Sequence, residues 1–508
     1  MVQFIDTRSG EMTGMTFTDV IIKGLAPSGG LFVPDTLPQL TPEQIKGLRD
    51  LPYHERALFV YKQLGIDIDD ASLATICKAS YGEQFDDERI AVLNSIEPHT
   101  HVLELWHGPT SAFKDMALQC MPRLFSAALA KKHEANSDYP NMMILVATSG
   151  DTGKAALEGF ADRDGCSITV LYPESGVSQI QRKQMVTQRG ENVAVYGVRG
   201  NFDDCQNTVK SVFNDADFNE RLLAERGLQL SSANSINFGR LMPQIVYYLS
   251  ACAELWDAEK FDEGVLLDVC VPTGNFGNIL GAYYAKQMGA PIGRLICASN
   301  ENKILTDFIS TGTYDISDRA FVKTPSPSMD ILISSNMERM LYHLADAERV
   351  AQWMADLKEK KAFTVDRETF AKMRELFAAD FATNDESLAT IKHLYDERAY
   401  LCDPHTAVAW EVGERMRDTQ SPLLVVSTAH WAKFAPDVLR ALTGTPAGEA
   451  FTGIYAEQSE FEQLDSIREL APEGSAVPAN LASLKDATER FNEIIDAGAA
   501  SCEARLMQ

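Results

Sequence analysis

MMILVATSGDTGKAALEGFADRDGCSITVLYP, residues 142–173, runs from an apolar stretch through a loop of Thr, Ser, Gly and Asp into a helical segment and back to an apolar stretch. The pattern predicts strands over Met142–Val146 and Ser167–Leu171 around a helix from about Thr152 to Ala161, a βαβ unit. Outward from it, VLLDVCVPTGNFGNILGAYYAKQMGAPIGRLICASN at residues 265–300 repeats that grammar, with strands near Leu266–Val271 and Arg294–Ala298 and a helix over Asn278–Met288. A third apolar run, PLLVVSTAH at residues 422–430, also ends in a polar cluster. Apolar throughout instead of alternating, such strands suit parallel sheets covered on both faces.

The expected fold is therefore α/β, with two open α/β domains of mostly parallel sheet and a mainly helical N-terminal domain. The expected division is 1–92 for the helical domain, 93–135 with 236–460 for a large α/β domain, 136–235 for a small one, and 461–508 for a C-terminal helical tail. Open α/β sheets collect ligands beyond the carboxyl ends of their strands. That rule brings Thr148–Asp151, Thr273–Asn275 and Thr428–His430 to one crevice.

Composition narrows the function classes. Acidic residues outnumber basic ones by 72 to 46, giving a net charge of −26, and no Lys/Arg-rich block interrupts that bias, so a nucleic-acid partner is not expected. No apolar run is long enough to span a bilayer, and the opening MVQFIDTRSGEM has no basic segment leading into an apolar one, so the expectation is a cytoplasmic protein with no membrane partner. The 9 cysteines contain no CxxC pair and are expected to be reduced core residues. His99 and His101 lack acidic or Cys partners in a ligating pattern, and no metal site is expected.

Two glycine loops suggest anion binding without matching a nucleotide fingerprint. In TGNFGN, Gly274 and Gly277 permit close backbone approach, and the amides of Asn275 to Asn278 open a helix, an arrangement suited to phosphate. Its glycines, Gly274, Gly277 and Gly281, are not spaced as G-x-G-x-x-G. TSGDTGK fails as a P-loop, because Thr148 and Ala155 stand where a Gly and a Ser or Thr are needed. In HGPTSAFKDMALQ, residues 107–119, Lys114 stands among Ala112, Phe113, Met116, Ala117 and Leu118. A lysine buried there loses basicity by desolvation and becomes a nucleophile toward an aldehyde. With a phosphate loop in the same chain, that chemistry points to pyridoxal phosphate.

Nine segments in order resemble the long-form threonine synthases of the tryptophan-synthase-β-like, fold type II pyridoxal phosphate enzymes: GLFVPDTLPQL, ELWHGPTSAFKD, ATSGDTGKAA, LYPESGVSQIQRKQM, SSANSINFGRLMPQ, VPTGNFGNILGAYYAKQMGAP, PSPSMDI, DPHTAVAW and STAHWAKF. The resemblance implies that Lys114 forms the Schiff base and acts as acid and base. It implies that Gly274, Asn275, Phe276, Gly277 and Asn278 hold the phosphate of pyridoxal 5'-phosphate and that Thr428 faces its ring nitrogen. Ser149, Gly150, Asp151, Thr152, Lys154, Arg182, Asn234 and Asn237 are assigned by the same resemblance to substrate binding. The implied reaction takes O-phospho-L-homoserine and water to L-threonine and phosphate, with monomer or homodimer left open. A second anion site is then needed, for which Lys154, Ser178, Arg182, Lys183, Asn234 and Arg240 are the candidates. Trp431 departs from the family's usual Pro after His in STAH. The rival readings are a dehydratase or another phospho-lyase of the same fold type, and a regulator that binds the cofactor without turnover.

Overall fold

Strands form where the apolar runs predict them, within one or two residues at each end. The computed structural model describes residues 2–418 and 420–508. Its strands are β1 (Phe4–Asp6), β2 (Phe32–Pro34), β3 (Val92–Glu97), β4 (Thr100–Glu104), β5 (Asn141–Ala147), β6 (Cys166–Pro173), β7 (Val193–Arg199) and β8 (Leu228–Ser231). The later ones are β9 (Leu267–Pro272), β10 (Ile292–Ser299), β11 (Thr313–Asp315), β12 (Ala362–Thr364), β13 (Phe377–Phe381), β14 (Leu423–Ser427) and β15 (Ile494–Asp496).

The larger sheet has the order β13-β10-β9-β14-β4-β3, parallel except for the β3–β4 hairpin at one edge. The smaller sheet, β15-β7-β6-β5-β8, is parallel throughout. Both β9 (LDVCVP) and β14 (LLVVS) are buried along their full length. That is the burial expected of strands with helices on both faces, where each enclosed Val or Leu stabilises by roughly 1.5–3 kcal/mol.

Glycine sets how closely the two α/β units approach. The helix Asp151–Phe160, which follows β5, lies so near the helix Lys114–Leu118 that a Cβ on Gly159 would fall 1.9 Å from the Leu118 carbonyl oxygen. Backbone packs on backbone there, which brings the β5 loop to Lys114.

The N-terminal part pairs β1 with β2 antiparallel and carries the helices Phe17–Lys23, Pro42–Lys46, Tyr53–Gln63 and Asp70–Ser80. It is fastened to the rest by buried polar ties. Thr7 Oγ1 donates to Glu338 Oε1 at 2.6 Å, Arg8 donates to both Glu338 oxygens at 2.9 and 2.8 Å, and the buried Arg339 donates from Nε to the Phe32 carbonyl at 2.9 Å. The segment read as a helical tail has helices at Glu460–Leu470 and Ala499–Leu506, but it also supplies β15 to the edge of the smaller sheet beside β7. Three residues carry no periodicity of their own, so only pairing with a distant strand makes β15 a strand.

All 9 cysteines are buried and unpaired. No helix among the described residues is long and apolar enough to cross a membrane.

Candidate active site

Lys114 opens a short helix, and the residue after it folds the turn before it. Asp115 accepts from Thr110 N at 2.8 Å and from Thr110 Oγ1 at 2.7 Å, and a Cβ on Gly108 would lie 2.5 Å from the Asp115 side chain. Burial pushes the Asp115 carboxyl up to about 6 against those donors. Phe113 N donates to the Thr428 carbonyl at 2.8 Å, and Ala112 forms a bridge with Ala429, so the loop after β14 is stitched to the Lys114 turn.

The Lys114 ammonium is buried, with Nζ 3.7 Å from Asp151 Oδ2 and 3.5 Å from Ser328 Oγ. Asp151 is shared: its Oδ1 lies 2.7 Å from Lys433 Nζ and accepts from Gln181 Nε2 at 2.8 Å. Lys433 is wholly enclosed and donates to the Thr110 carbonyl at 2.9 Å. Burial lowers the Lys114 pKa to about 8; Asp151 opposes the fall, and the charges of Lys433 and Arg240 reinforce it. Burial alone would raise Asp151, but Lys433 and Lys114 hold its carboxyl well below the ordinary range. One carboxylate cannot neutralise two ammonium groups. At a pKa of about 8, roughly a tenth of Lys114 is free amine at pH 7, against about 1 in 3,000 for an ordinary lysine.

Lys433 is absent from the sequence-derived site, although it too is a lysine set in apolar surroundings. It stands among Trp431, Ala432, Phe434 and Ala435, all buried. Lys433→Met is expected to leave Asp151 to Lys114 alone and so raise the Lys114 pKa. The pH midpoint for acylation of Lys114 by an amine-selective reagent, read by peptide mapping, should move from near 8 to above about 9. An unmoved midpoint would remove Lys433 from the electrostatics of the site.

The phosphate-loop candidates lie across the same crevice. The loop after β9 turns through Phe276, which has φ +62°, into the helix Gly277–Gln287. It is held from behind through its carbonyls: Gly274 O accepts from Ser334 Oγ at 2.8 Å, and Asn275 O accepts from Asn336 N and Nδ2 at 3.1 and 3.0 Å. A Cβ on Gly274 would stand 2.9 Å from the Ser328 carbonyl oxygen, so the approach of these loops requires glycine. Asn278 Oδ1 accepts from the hydroxyls of Tyr247 and Tyr248, each at 2.6 Å, while its buried Nδ2 has no acceptor among the described residues. A buried orphan donor at a helix start, beside backbone free of side chain, fits a phosphate group. Thr428 is also buried.

Arg240 carries a second anion-seeking group. Its side chain is buried, Nη1 donates to the Ala233 carbonyl at 3.0 Å, Nε has no partner, and no carboxylate pairs with it among the described residues. Burial pushes its pKa down to about 10. The other basic candidates already have partners. Lys154 Nζ lies 2.8 Å from Glu158 Oε2 and also meets Gln188, Arg182 binds both Glu489 oxygens at 2.9 Å, and Lys183 reaches the same carboxylate at 3.5 Å.

Among the residues assigned to substrate, Asp151 meets Lys114, whereas the side chains of Lys154, Arg182 and Asn237 have other partners. The Asn237 side chain makes structural bonds, donating to the Ile21 carbonyl at 2.8 Å and accepting from Gly239 N at 2.9 Å. Ser149 and Asn234 are exposed, Thr152 is half-buried, and Ser178 caps the helix Gln179–Val186 by accepting from Gln181 N.

A buried lysine and a glycine-rich helix start between two α/β units suit the pyridoxal-phosphate class of site, and residues 101–427 match the family model described as "Pyridoxal-phosphate dependent enzyme". Residues 3–81 match "Threonine synthase N terminus", and residues 406–504 match "Threonine synthase, C-terminal". The chain belongs to the threonine synthase family. It is 38% identical over 464 residues to a protein named threonine synthase from Pseudomonas aeruginosa, covering 90% of this chain and 94% of that one. It is 43% identical over 436 residues to threonine synthase-like 1 of Macaca fascicularis, covering 84% of this chain, and the alignment spans 58% of that longer relative. Among solved structures, PLP-bound threonine synthase from Brucella melitensis superposes with a TM-score of 0.86 at 36% identity, covering 100% of this chain and 99% of that one.

Proposed function

We propose that this chain is a carbon–oxygen lyase acting on phosphate, which converts O-phospho-L-homoserine and water to L-threonine and phosphate. The observation that carries the reading is Lys114 Nζ, buried beside Asp151 with its basicity lowered by burial, in a crevice with two places for an anion. Gly274, Asn275, Phe276, Gly277 and Asn278 would hold the cofactor phosphate, Thr428 its ring nitrogen, and Lys114 its aldehyde carbon. Bound pyridoxal phosphate supplies an electron sink that acidifies the substrate carbons next to the amine.

The residues of the chain do the rest. With substrate in the site, the free Lys114 amine would take the proton from Cα and then from Cβ and return protons at Cγ and Cα, while water gives its hydroxyl to Cβ and its other proton to the departing phosphate. Asp151 stays ionised throughout because Lys433 faces it, so it orients Lys114 without competing for its proton. Arg240 binds the substrate phosphate through charge-assisted hydrogen bonds and holds it where it leaves Cγ. The reduced thiols are consistent with a cytoplasmic location.

The test is the visible spectrum of the purified, cofactor-loaded protein before and after borohydride, followed by threonine and phosphate assays with O-phosphohomoserine. The expected result is a band that borohydride removes, a reduced pyridoxyl group on Lys114, and threonine and phosphate in equal amounts. A band without threonine would move the substrate to that of another phospho-lyase or a dehydratase. No band after reconstitution overturns the site.

A further inference from the structure

The Ser328 hydroxyl touches Lys114, yet it has no part in the phosphate loop, which meets Ser328 only at its carbonyl, or in the anion site. It lies on the short turn Pro327–Met329, at the end of a loop that closes on Asp330. Asp330 accepts from Asn300 Nδ2 and Asn302 Nδ2, each at 2.8 Å, and from Thr324 Oγ1 at 2.7 Å. Ser328 is then fixed from the opposite side. Its backbone N donates to His405 Nε2 at 3.2 Å, and His405 Nδ1 lies 2.6 Å from Asp403 Oδ2.

Asp403 and His405 are enclosed, with relative exposures of 0% and 2%. Because Nε2 accepts the Ser328 amide, the ring proton sits on Nδ1 and points at Asp403. Asp403 also accepts from Thr406 N and His405 N at 3.1 and 3.0 Å, so the carboxylate that sets the imidazole is itself locked to the start of the helix Pro404–Met416. The rigid chain ends on a hydroxyl: Ser328 Oγ accepts from Lys114 Nζ at 3.5 Å and donates to Asp151 Oδ2 at 3.4 Å.

We propose that Ser328 Oγ and Asp151 Oδ2 form a two-point seat for the free Lys114 amine, and that Asp403 and His405 are positioning residues that hold Ser328 in that seat. A lysine with four rotatable bonds that must be released and recaptured in each cycle has many places to go. A seat fixed by the buried Asp403–His405 pair keeps Nζ near where it acts, and misplacement by about 1 Å can cost about 10²-fold in rate. The proposal rests on the reading of Lys114 as the cofactor lysine.

The test is the rate at which apoprotein captures pyridoxal phosphate, followed by stopped-flow absorbance, together with kcat and KM. Ser328→Ala is expected to slow capture and kcat by about 10- to 100-fold while KM and the final absorbance stay within about threefold. His405→Ala should do the same, and His405→Gln, whose Oε1 can accept the Ser328 amide, should recover most of the loss. The double variant Ser328→Ala/His405→Ala should be no slower than the slower single variant, as expected for groups acting through one another. Wild-type capture by Ser328→Ala, or multiplicative losses in the double variant, would overturn the seat. Capture does not depend on the substrate, so a wrong substrate leaves this test standing, whereas wild-type protein that captures no pyridoxal phosphate overturns both readings.

Discussion

Alanine at position 114 is expected to abolish the borohydride-reducible band and to reduce turnover by at least about 10⁴-fold, since it removes both the covalent anchor and the acid–base group. The fold should survive. Truncating one member of a buried ion pair is usually destabilising because it strands the other charge. Here Asp151 keeps Lys433 at 2.7 Å and Gln181 at 2.8 Å, so no charge is stranded. The variant also removes a buried ammonium whose pKa burial has already lowered to about 8, so thermal stability of the apoprotein should hold or rise. Mass spectrometry of the reduced protein, turnover and a melting curve check the three parts. Retention of a reducible band with conversion of substrate would withdraw Lys114 from its role.

Arg240→Met is expected to move catalysis and stability in opposite directions. Loss of one partner from a buried hydrogen-bonded charge pair costs about 2–5 kcal/mol, so kcat/KM for the phosphorylated substrate should fall about 30-fold or more. The apoprotein should become more stable, because Arg240 is buried with an unpartnered Nε and no carboxylate among the described residues. A structural arginine would lower both quantities when removed. Inorganic phosphate provides a further check: its inhibition of the wild type should weaken by a similar factor in the variant, with the reducible band on Lys114 intact. Unchanged phosphate inhibition would place the substrate anion elsewhere.

The contrast between Arg240 and Arg182 shows where sequence reading stops. Both are basic residues in segments near the site, and by residue type either can bind phosphate. Arg182 meets Glu489, 307 residues along the chain, and is neutralised, whereas Arg240 is buried where no acidic side chain pairs with it among the described residues. Lys154 is satisfied within its own helix turn by Glu158. The resemblance assigns Asn237 to substrate through its segment, but its amide also holds the N-terminal helix Phe17–Lys23 through Ile21. For Arg182, Arg240 and Asn237 the outcome depends on which partner arrives from a distant part of the chain, whereas the Lys154 pair is local.

What the sequence determined by itself is the local architecture and the chemical class. The strand–loop–helix units around residues 142–173 and 265–300, the glycines at 274 and 277, and a lysine set in apolar surroundings at 114 all act over a few residues, through side-chain period, backbone freedom and desolvation. What only the tertiary structure decided is which charges remain free and which are quenched. Ser328 reaches Asp151 across 177 residues of chain, and Lys433 reaches the Thr110 carbonyl across 323, while Asp151 is shared between two lysines that no spacing rule relates. Electrostatic energy depends on distance and on the surrounding dielectric, and a linear sequence specifies neither until the chain has packed.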